Sequence, residues 1–142
     1  MIPFNKPCKI DGQQEYIGTL LAESEFETDS TQSIKCQSFF HEVYPGEAFL
    51  TGSCTQAIEA IAYALDIGVG DRVICPSFTF VSCALPFANL GASIDFIDIR
   101  ADTLSLDISK VEDAIDTTTK AVIFVHYGGV SNDLTLIRDI CD

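Results

Sequence analysis

The sequence has no tryptophan and only 8 lysine and arginine residues against 21 aspartate and glutamate, for a formal net charge of −13. A surface so poor in cations repels phosphate backbones and anionic lipid, so neither nucleic acid nor a membrane is expected as a partner. A phosphorylated small molecule stays open, because one helix N-terminus offsets the global field locally. No apolar run reaches the roughly 20 residues needed to span a bilayer. The start, Met1-Ile2-Pro3-Phe4-Asn5-Lys6-Pro7, lacks the apolar core of a signal peptide. A soluble, cytoplasmic protein is expected.

No C-x-x-C pair occurs among Cys8, Cys36, Cys54, Cys75, Cys83 and Cys141, and the two histidines, His41 and His126, lie far apart. A zinc site is therefore not expected, and no residue is assigned to a metal. The cysteines read as reduced, mostly buried thiols, like Cys75 within Val73-Ile74-Cys75. There is no internal repeat, low-complexity tract or interdomain linker. What remains is 142 residues that are 47% apolar and 20% charged, enough for one globular core.

Residues 12–22 read as a helix, with Ile17, Leu20 and Leu21 on one face. The acidic run Glu23, Glu25, Glu27, Asp29 reads as a solvated loop. At 31–43 the spacing of Cys36, Phe39, Phe40 and Val43 predicts a helix with a buried face, ended by Pro45-Gly46. Short strands then alternate with helices. Strands are expected at Ala48-Phe49-Leu50, Val73-Ile74-Cys75, 94–98 and 121–125. Helices are expected at 54–66 (Ile58, Ile61, Ala62 and Leu65 inward), 79–89, 108–116 behind Asp107 as N-cap, and from Asn132-Asp133 onward. Four apolar strands separated by helices indicate an α/β fold with an open, mainly parallel sheet. The division expected is an N-terminal helical segment at 1–46 and an α/β part at 47–142. The stripe Leu134, Ile137, Ile140, Cys141 runs up to Asp142 with no capping glycine or proline, so a longer parent protein is expected.

Open parallel sheets gather ligands at the carboxyl ends of their strands. There Thr51-Gly52-Ser53-Cys54-Thr55-Gln56 offers small residues, hydroxyls and free amides at a helix start, which suits a phosphate. Ser53 or Thr55 serving only as a helix cap is an equal reading. Pro76-Ser77-Phe78-Thr79-Phe80 puts two aromatics at the same edge, either to cover a planar ligand or to pack in the core. His126, in Val125-His126-Tyr127-Gly128-Gly129, has no acid or nucleophile partner and reads as a structural, hydrogen-bonded histidine. Asp95, Asp98, Asp102 and Asp107 match no metal loop and read as caps and turns. A nucleotide-binding domain ranks last, because the first turn has neither G-x-G-x-x-G nor a Walker lysine.

Taken in order, Ser53-Cys54-Thr55, Leu65-Asp66-Ile67-Gly68-Val69-Gly70-Asp71, Pro76-Ser77-Phe78-Thr79-Phe80-Val81-Ser82, Gly91-Ala92, Asp98, Asp102-Thr103-Leu104, Asp107, Thr119-Lys120-Ala121-Val122 and Val125-His126-Tyr127 resemble the DegT/DnrJ/EryC1/StrS family of sugar aminotransferases. Within it, the likeness is strongest to the dTDP-4-amino-4,6-dideoxygalactose transaminases. The resemblance implies the front part of the large domain of a fold-type I pyridoxal 5'-phosphate (PLP) transferase. It implies transfer of an amino group, commonly from glutamate, to a nucleotide-linked keto sugar by a homodimer. By position, Thr55 and the backbone N–H of Gln56 would hold the cofactor phosphate, and Phe80 would lie against its ring.

Two departures stand out: Cys54 replaces the family's usual glycine, and Phe26-Glu27-Thr28-Asp29-Ser30 replaces a glycine-rich segment. The family's aspartate for the pyridine nitrogen and its cofactor-binding lysine come later than Asp142, and Lys6, Lys9, Lys35, Lys110 and Lys120 match neither. No catalytic residue is assigned. The chain by itself is expected to be inactive and marginally stable. The alternative is a non-catalytic homologue that serves as a binding or interaction module.

Overall fold

The computed structural model describes residues 6–23 and 30–142. The expected acidic loop lies, past Glu23, outside the described residues, as does most of the segment that replaces the glycine-rich one. The chain divides into two compact units, Met1–Leu50 and Thr51–Asp142.

The first unit carries α1 (Gln13–Glu23) and α2 (Thr31–Val43), close to where apolar spacing places them. Ser30 is extended and its hydroxyl accepts the Ser33 amide at 3.3 Å, which caps α2. The Tyr16 hydroxyl donates to Gln32 and so ties the two helices. The buried face expected on α2 is not buried. Neither helix has a buried residue, and Phe39 and Val43 are 59% and 53% exposed. Phe39 and Phe40 meet edge to face at 5.6 Å, and Phe40 stacks on Tyr44 at 6.3 Å. Periodicity puts residues on one face, but burial needs a second surface to cover it. The expected strand at Ala48-Phe49-Leu50 is likewise absent. That segment pairs with no strand among the described residues, and Phe49 is 82% exposed. Without a ladder partner its extended backbone is only a loop.

The second unit is built on β1 (Arg72–Pro76), β2 (Ser93–Ile97) and β3 (Thr119–Val122), parallel and in the order β2-β1-β3. Central β1 is buried from Val73 through Pro76, which explains its unbroken apolar sequence. Alternate side chains feed two cores. Val73 joins Ala62, Ile67, Phe87 and Ala92 beneath α3 (Cys54–Ala64) and α4 (Leu85–Asn89). Ile74 joins Ile97, Leu106 and Val111 on the opposite face, backed by α5 (Val111–Ala114) and Ile140 of α6 (Leu134–Cys141). Burying Val73 and Ile74 stabilises the fold by roughly 1.5–3 kcal/mol each. Ile61 and Leu65, expected to face inward, are about half exposed, so α3 presents a narrower stripe through Ile58 and Ala62.

Two expected helices are shorter than their apolar patterns. At 79–89 there is a 3-10 turn, Val81–Cys83, followed by α4, because Pro86 supplies no amide to continue one helix through both. At 108–116 there is a 3-10 turn, Ile108–Lys110, then the single turn of α5. Asp107 precedes it, but its carboxylate takes the Ser109 hydroxyl at 2.7 Å and Lys110 at 3.3 Å rather than a helix amide. The third strand begins two residues before the expected 121–125 and ends at Val122, with Ile123 adding one further bond to the Ile74 carbonyl at 2.9 Å. Gly91 ends the α4 segment at φ +99°, where a Cβ would come within 2.6 Å of Val69 Cγ2.

At the amino edge of the sheet the Arg72 guanidinium pairs with Asp95 of β2 and with Asp116 in the turn before β3. Hydrogen bonds from Thr118 and then the charge of Arg72 bring the Asp116 carboxyl down to about 2. Among the described residues no helix is long and apolar enough to cross a membrane.

Candidate functional site

Helix α3 reaches β1 through the turn at 66–71, so it runs back along the sheet. Its 11 residues span ~16 Å, the length of a five-residue strand. The N-terminus of α3 therefore lies at the carboxyl edge of β1. The 3-10 turn that follows Phe80 packs against the same helix. The turn at 66–71 closes on itself: the Gly68 amide donates to Asp71 Oδ2 at 2.9 Å.

The α3 N-terminus is small, exposed and rich in donors. Ser53 is extended and its Oγ accepts the Gln56 amide at 3.2 Å, so Ser53 is the helix cap. Thr51 Oγ1 donates to the Ser53 carbonyl at 2.9 Å and braces the turn from below. The amides of Cys54 and Thr55, first in the helix, have no intrahelical carbonyl to bond. Thr55 is half-buried at this end, while Cys54 and Gln56 are exposed. A Cβ on Gly52 would lie 2.7 Å from Gln56 Oε1, so the Gln56 side chain folds back over the turn into space that only a glycine leaves open. Two free amides, the positive end of an 11-residue helix and a threonine hydroxyl fit a phosphate group. The Gln56 amide joins that set only by leaving Ser53, a bond of neutral partners at ordinary strength.

Phe80 is 71% exposed at the end of the loop after β1, and Phe78 is 45% exposed. Neither is a core residue, so of the two readings of this pair the structure retains an exposed aromatic edge. Phe78 lies against Tyr127 from the loop after β3, with centroids 4.9 Å apart and planes tilted by 44°. Ser77 is tied to the end of β2: its amide donates to the Ile97 carbonyl at 2.8 Å, with its hydroxyl 3.5 Å from Asp98. Three consecutive strand ends are thus joined along one edge.

His126 is hydrogen-bonded, as expected of a structural histidine. The Asn132 amide donates to His126 Nδ1 at 3.1 Å, and Asn132 Nδ2 lies 3.0 Å from the same nitrogen. A backbone amide can only donate, so Nδ1 is the acceptor and the ring hydrogen sits on Nε2. Asn132 also donates to the Val125 carbonyl at 3.1 Å and is 7% exposed. Sequence reasoning missed Asn132 and gave Tyr127 no role. The signal for Asn132 was its place six residues after His126 and just before the α6 cap, where Asp133 takes the Thr135 and Leu136 amides at 3.1 Å.

The four aspartates serve separate local partners: Asp95 binds Arg72, Asp98 the Ile99 amide, Asp102 the Arg100 guanidinium and Asp107 its own turn. Among the described residues no group of three His, Cys, Asp or Glu side chains is placed to hold a metal. The cysteines correct the expectation of burial. Cys8, Cys36, Cys54 and Cys141 are exposed, Cys83 is half-buried and only Cys75 is buried. Burial, and then the neighbouring Cys83, push the Cys75 thiol up to about 12.

Comparison with known proteins agrees with this architecture. The model of the DegT/DnrJ/EryC1/StrS aminotransferase family matches residues 36–142, and the chain belongs to that family. It is 38% identical over 99 residues to the dTDP-4-dehydro-2,3,6-trideoxy-D-glucose 4-aminotransferase of Saccharopolyspora spinosa, a match covering 70% of this chain and 26% of that one. Among solved structures it is similar to Spr1654 of Streptococcus pneumoniae, assigned as a sugar aminotransferase, in its PLP form. There the TM-score is 0.84 at 27% identity, over 98% of this chain and 36% of that one. It also resembles 3-amino-5-hydroxybenzoic acid synthase, with a TM-score of 0.82 at 25% identity, over 94% of this chain and 35% of that one. The chain thus spans about a quarter to a third of the length of these relatives, and its fold is that of the front part of their large domain.

Proposed function

We propose that this chain is the front part of a PLP-dependent enzyme that moves an amino group, donated by glutamate in the complete protein, onto a nucleotide-linked keto sugar. The observation that carries the reading is the α3 N-terminus, whose free amides and hydroxyl fit a phosphate on a family fold that other members use with PLP. Thr55 and the Gln56 amide hold the phosphate, the latter by exchanging its bond to Ser53. Phe80, exposed at the same edge, covers one face of the ring and keeps water from it. PLP, when bound, supplies an electron sink for the amino-group exchange. The division of labour is a helical segment at 1–46 and the first half of the large domain at 47–142. The complete protein works as a cytoplasmic homodimer.

A dTDP-linked 4-keto-6-deoxy sugar is the substrate, on the likeness to dTDP-4-amino-4,6-dideoxygalactose transaminases and on the name of the Saccharopolyspora spinosa relative. This chain alone does not carry out the reaction. Lys110 pairs with Asp107, and Lys120 sits at the amino end of β3, away from the phosphate turn. The alternative reading is a non-catalytic homologue that serves as a binding or interaction module.

Equilibrium dialysis of the chain against PLP and against inorganic phosphate tests the assignment. Both bind, and Thr55→Val weakens both by about tenfold or more, the worth of one hydrogen bond to a charged group. Equal affinity in wild type and Thr55→Val would remove Thr55 from the site. A borohydride-trapped PLP adduct on one specific lysine of this chain would overturn the division of roles.

A further inference from the structure

We infer that Tyr127 is a positioning residue: its ring, held by the His126–Asn132 bracket, sets the place of the loop that carries Phe80. The inference rests on the cofactor reading above for its purpose, and on geometry alone for its mechanism.

The loop after β1 is anchored mainly through Ser77 and its backbone. Ser77 is bonded to the end of β2, Thr79 meets the Cys83 thiol at 3.1 Å and the Phe80 carbonyl accepts the Cys83 amide at 3.0 Å, while Phe78 is 45% and Phe80 71% exposed. From the end of β3 the loop is met by Tyr127 on Phe78, at 4.9 Å. Tyr127 in turn stands on a braced support. Asn132, 7% exposed, bonds the Val125 carbonyl and the His126 ring, on the two residues that precede Tyr127. Gly128 and Gly129 follow at φ +62° and +83°, so the backbone turns sharply away just past the ring. A side chain fixed at its base is well suited to hold a neighbouring loop. A tilted aromatic pair contributes through quadrupole alignment as well as area, so the contact specifies orientation. Phe80 is two residues beyond Phe78, and a shift of the loop moves both together.

The test compares Tyr127→Ala, Tyr127→Phe and the unchanged chain. Nitrogen-15 relaxation of the free chain reads the order of residues 78–80. Dialysis reads affinity for PLP and for inorganic phosphate. Tyr127→Ala lowers the amide order parameters at 78–80, leaves those of β1 unchanged, and weakens PLP about fivefold while inorganic phosphate changes less than about twofold. Tyr127→Phe, which keeps the ring, restores all three. Unchanged order at 78–80 in Tyr127→Ala would overturn the inference, whether or not PLP binds. Equal loss of PLP and phosphate affinity would show a general loss of structure and overturn it too. If the unchanged chain bound neither ligand, the cofactor reading would fall, and the relaxation data alone would decide whether Tyr127 positions the loop.

Discussion

Helix α2 and helix α3 each carry an apolar stripe, the stronger one on α3, yet one buries nothing and the other helps to build a core. On α2 the stripe of Cys36, Phe39, Phe40 and Val43 is exposed. On α3 Ala62 is fully buried and Ile58 packs beside it against Val73 and Phe87. The difference is the sheet. Of the two, α3 alone has among the described residues a strand surface within its own unit onto which a stripe can close, so amphipathic spacing is a statement about faces, and burial is a statement about partners.

Four changes sharpen or break this contrast. The largest effect belongs to the sheet: Ile74→Ala opens a cavity in a fully buried site and lowers unfolding free energy by about 2–5 kcal/mol, read by urea denaturation. Phe39→Ala on the exposed stripe costs less than about 0.5 kcal/mol in the same assay. If the two costs matched, α2 would have a buried surface after all and the contrast would fail. Next comes the helix cap. Ser53→Ala removes the acceptor of the Gln56 amide and costs about 0.5–2 kcal/mol, whereas Ser53→Gly costs only a few tenths.

The third change concerns thiols. Native chain treated with a disulfide reagent at mildly alkaline pH loses Cys8, Cys36, Cys54 and Cys141 quickly, while Cys75, buried and pushed up to about 12, reacts only on unfolding. Peptide mapping after a short pulse checks this, and early labelling of Cys75 would mean that the sheet opens readily. The smallest effect is electrostatic. The Asp116 carboxyl is lower in the folded chain, at about 2, than the ~3.9 of an unfolded aspartate, so its contribution is complete above pH ~4. That contribution disappears as pH falls through about 2. Acid titration of unfolding stability in Asp116→Asn should be flatter over this interval than in the unchanged chain.

Much of the fold was legible because it rests on local chemistry. The helices at 13–23 and 31–43 begin and end within a residue of their apolar spacing. The run Val73-Ile74-Cys75 announced a strand covered on both faces, and the turn glycines and Pro45 marked the breaks. The lengths at 79–89 and 108–116 were misread for a local reason too: Pro86 denies an amide to one helix, and Asp107 spends its carboxylate on Ser109 and Lys110. At the site, the turn at 51–56 and the aromatic loop were visible from residue types alone. Asn132 was not, since an asparagine before a helix cap reads as a turn residue until the fold brings it under Val125 and His126.

The sequence by itself determined the order of the three paired strands and their helices, the donors of the turn at 51–56, the isolation of His126 and membership of the family. These follow from side-chain period, backbone preference and motif order, all of which act over a few residues. Tertiary structure decided which apolar stripe found a surface, that 48–50 pairs with no strand among the described residues, that Arg72 bridges Asp95 and Asp116, and that Tyr127 meets Phe78 across strand ends. Those contacts join residues 23 to 49 positions apart or depend on a missing ladder partner, and no local preference encodes them.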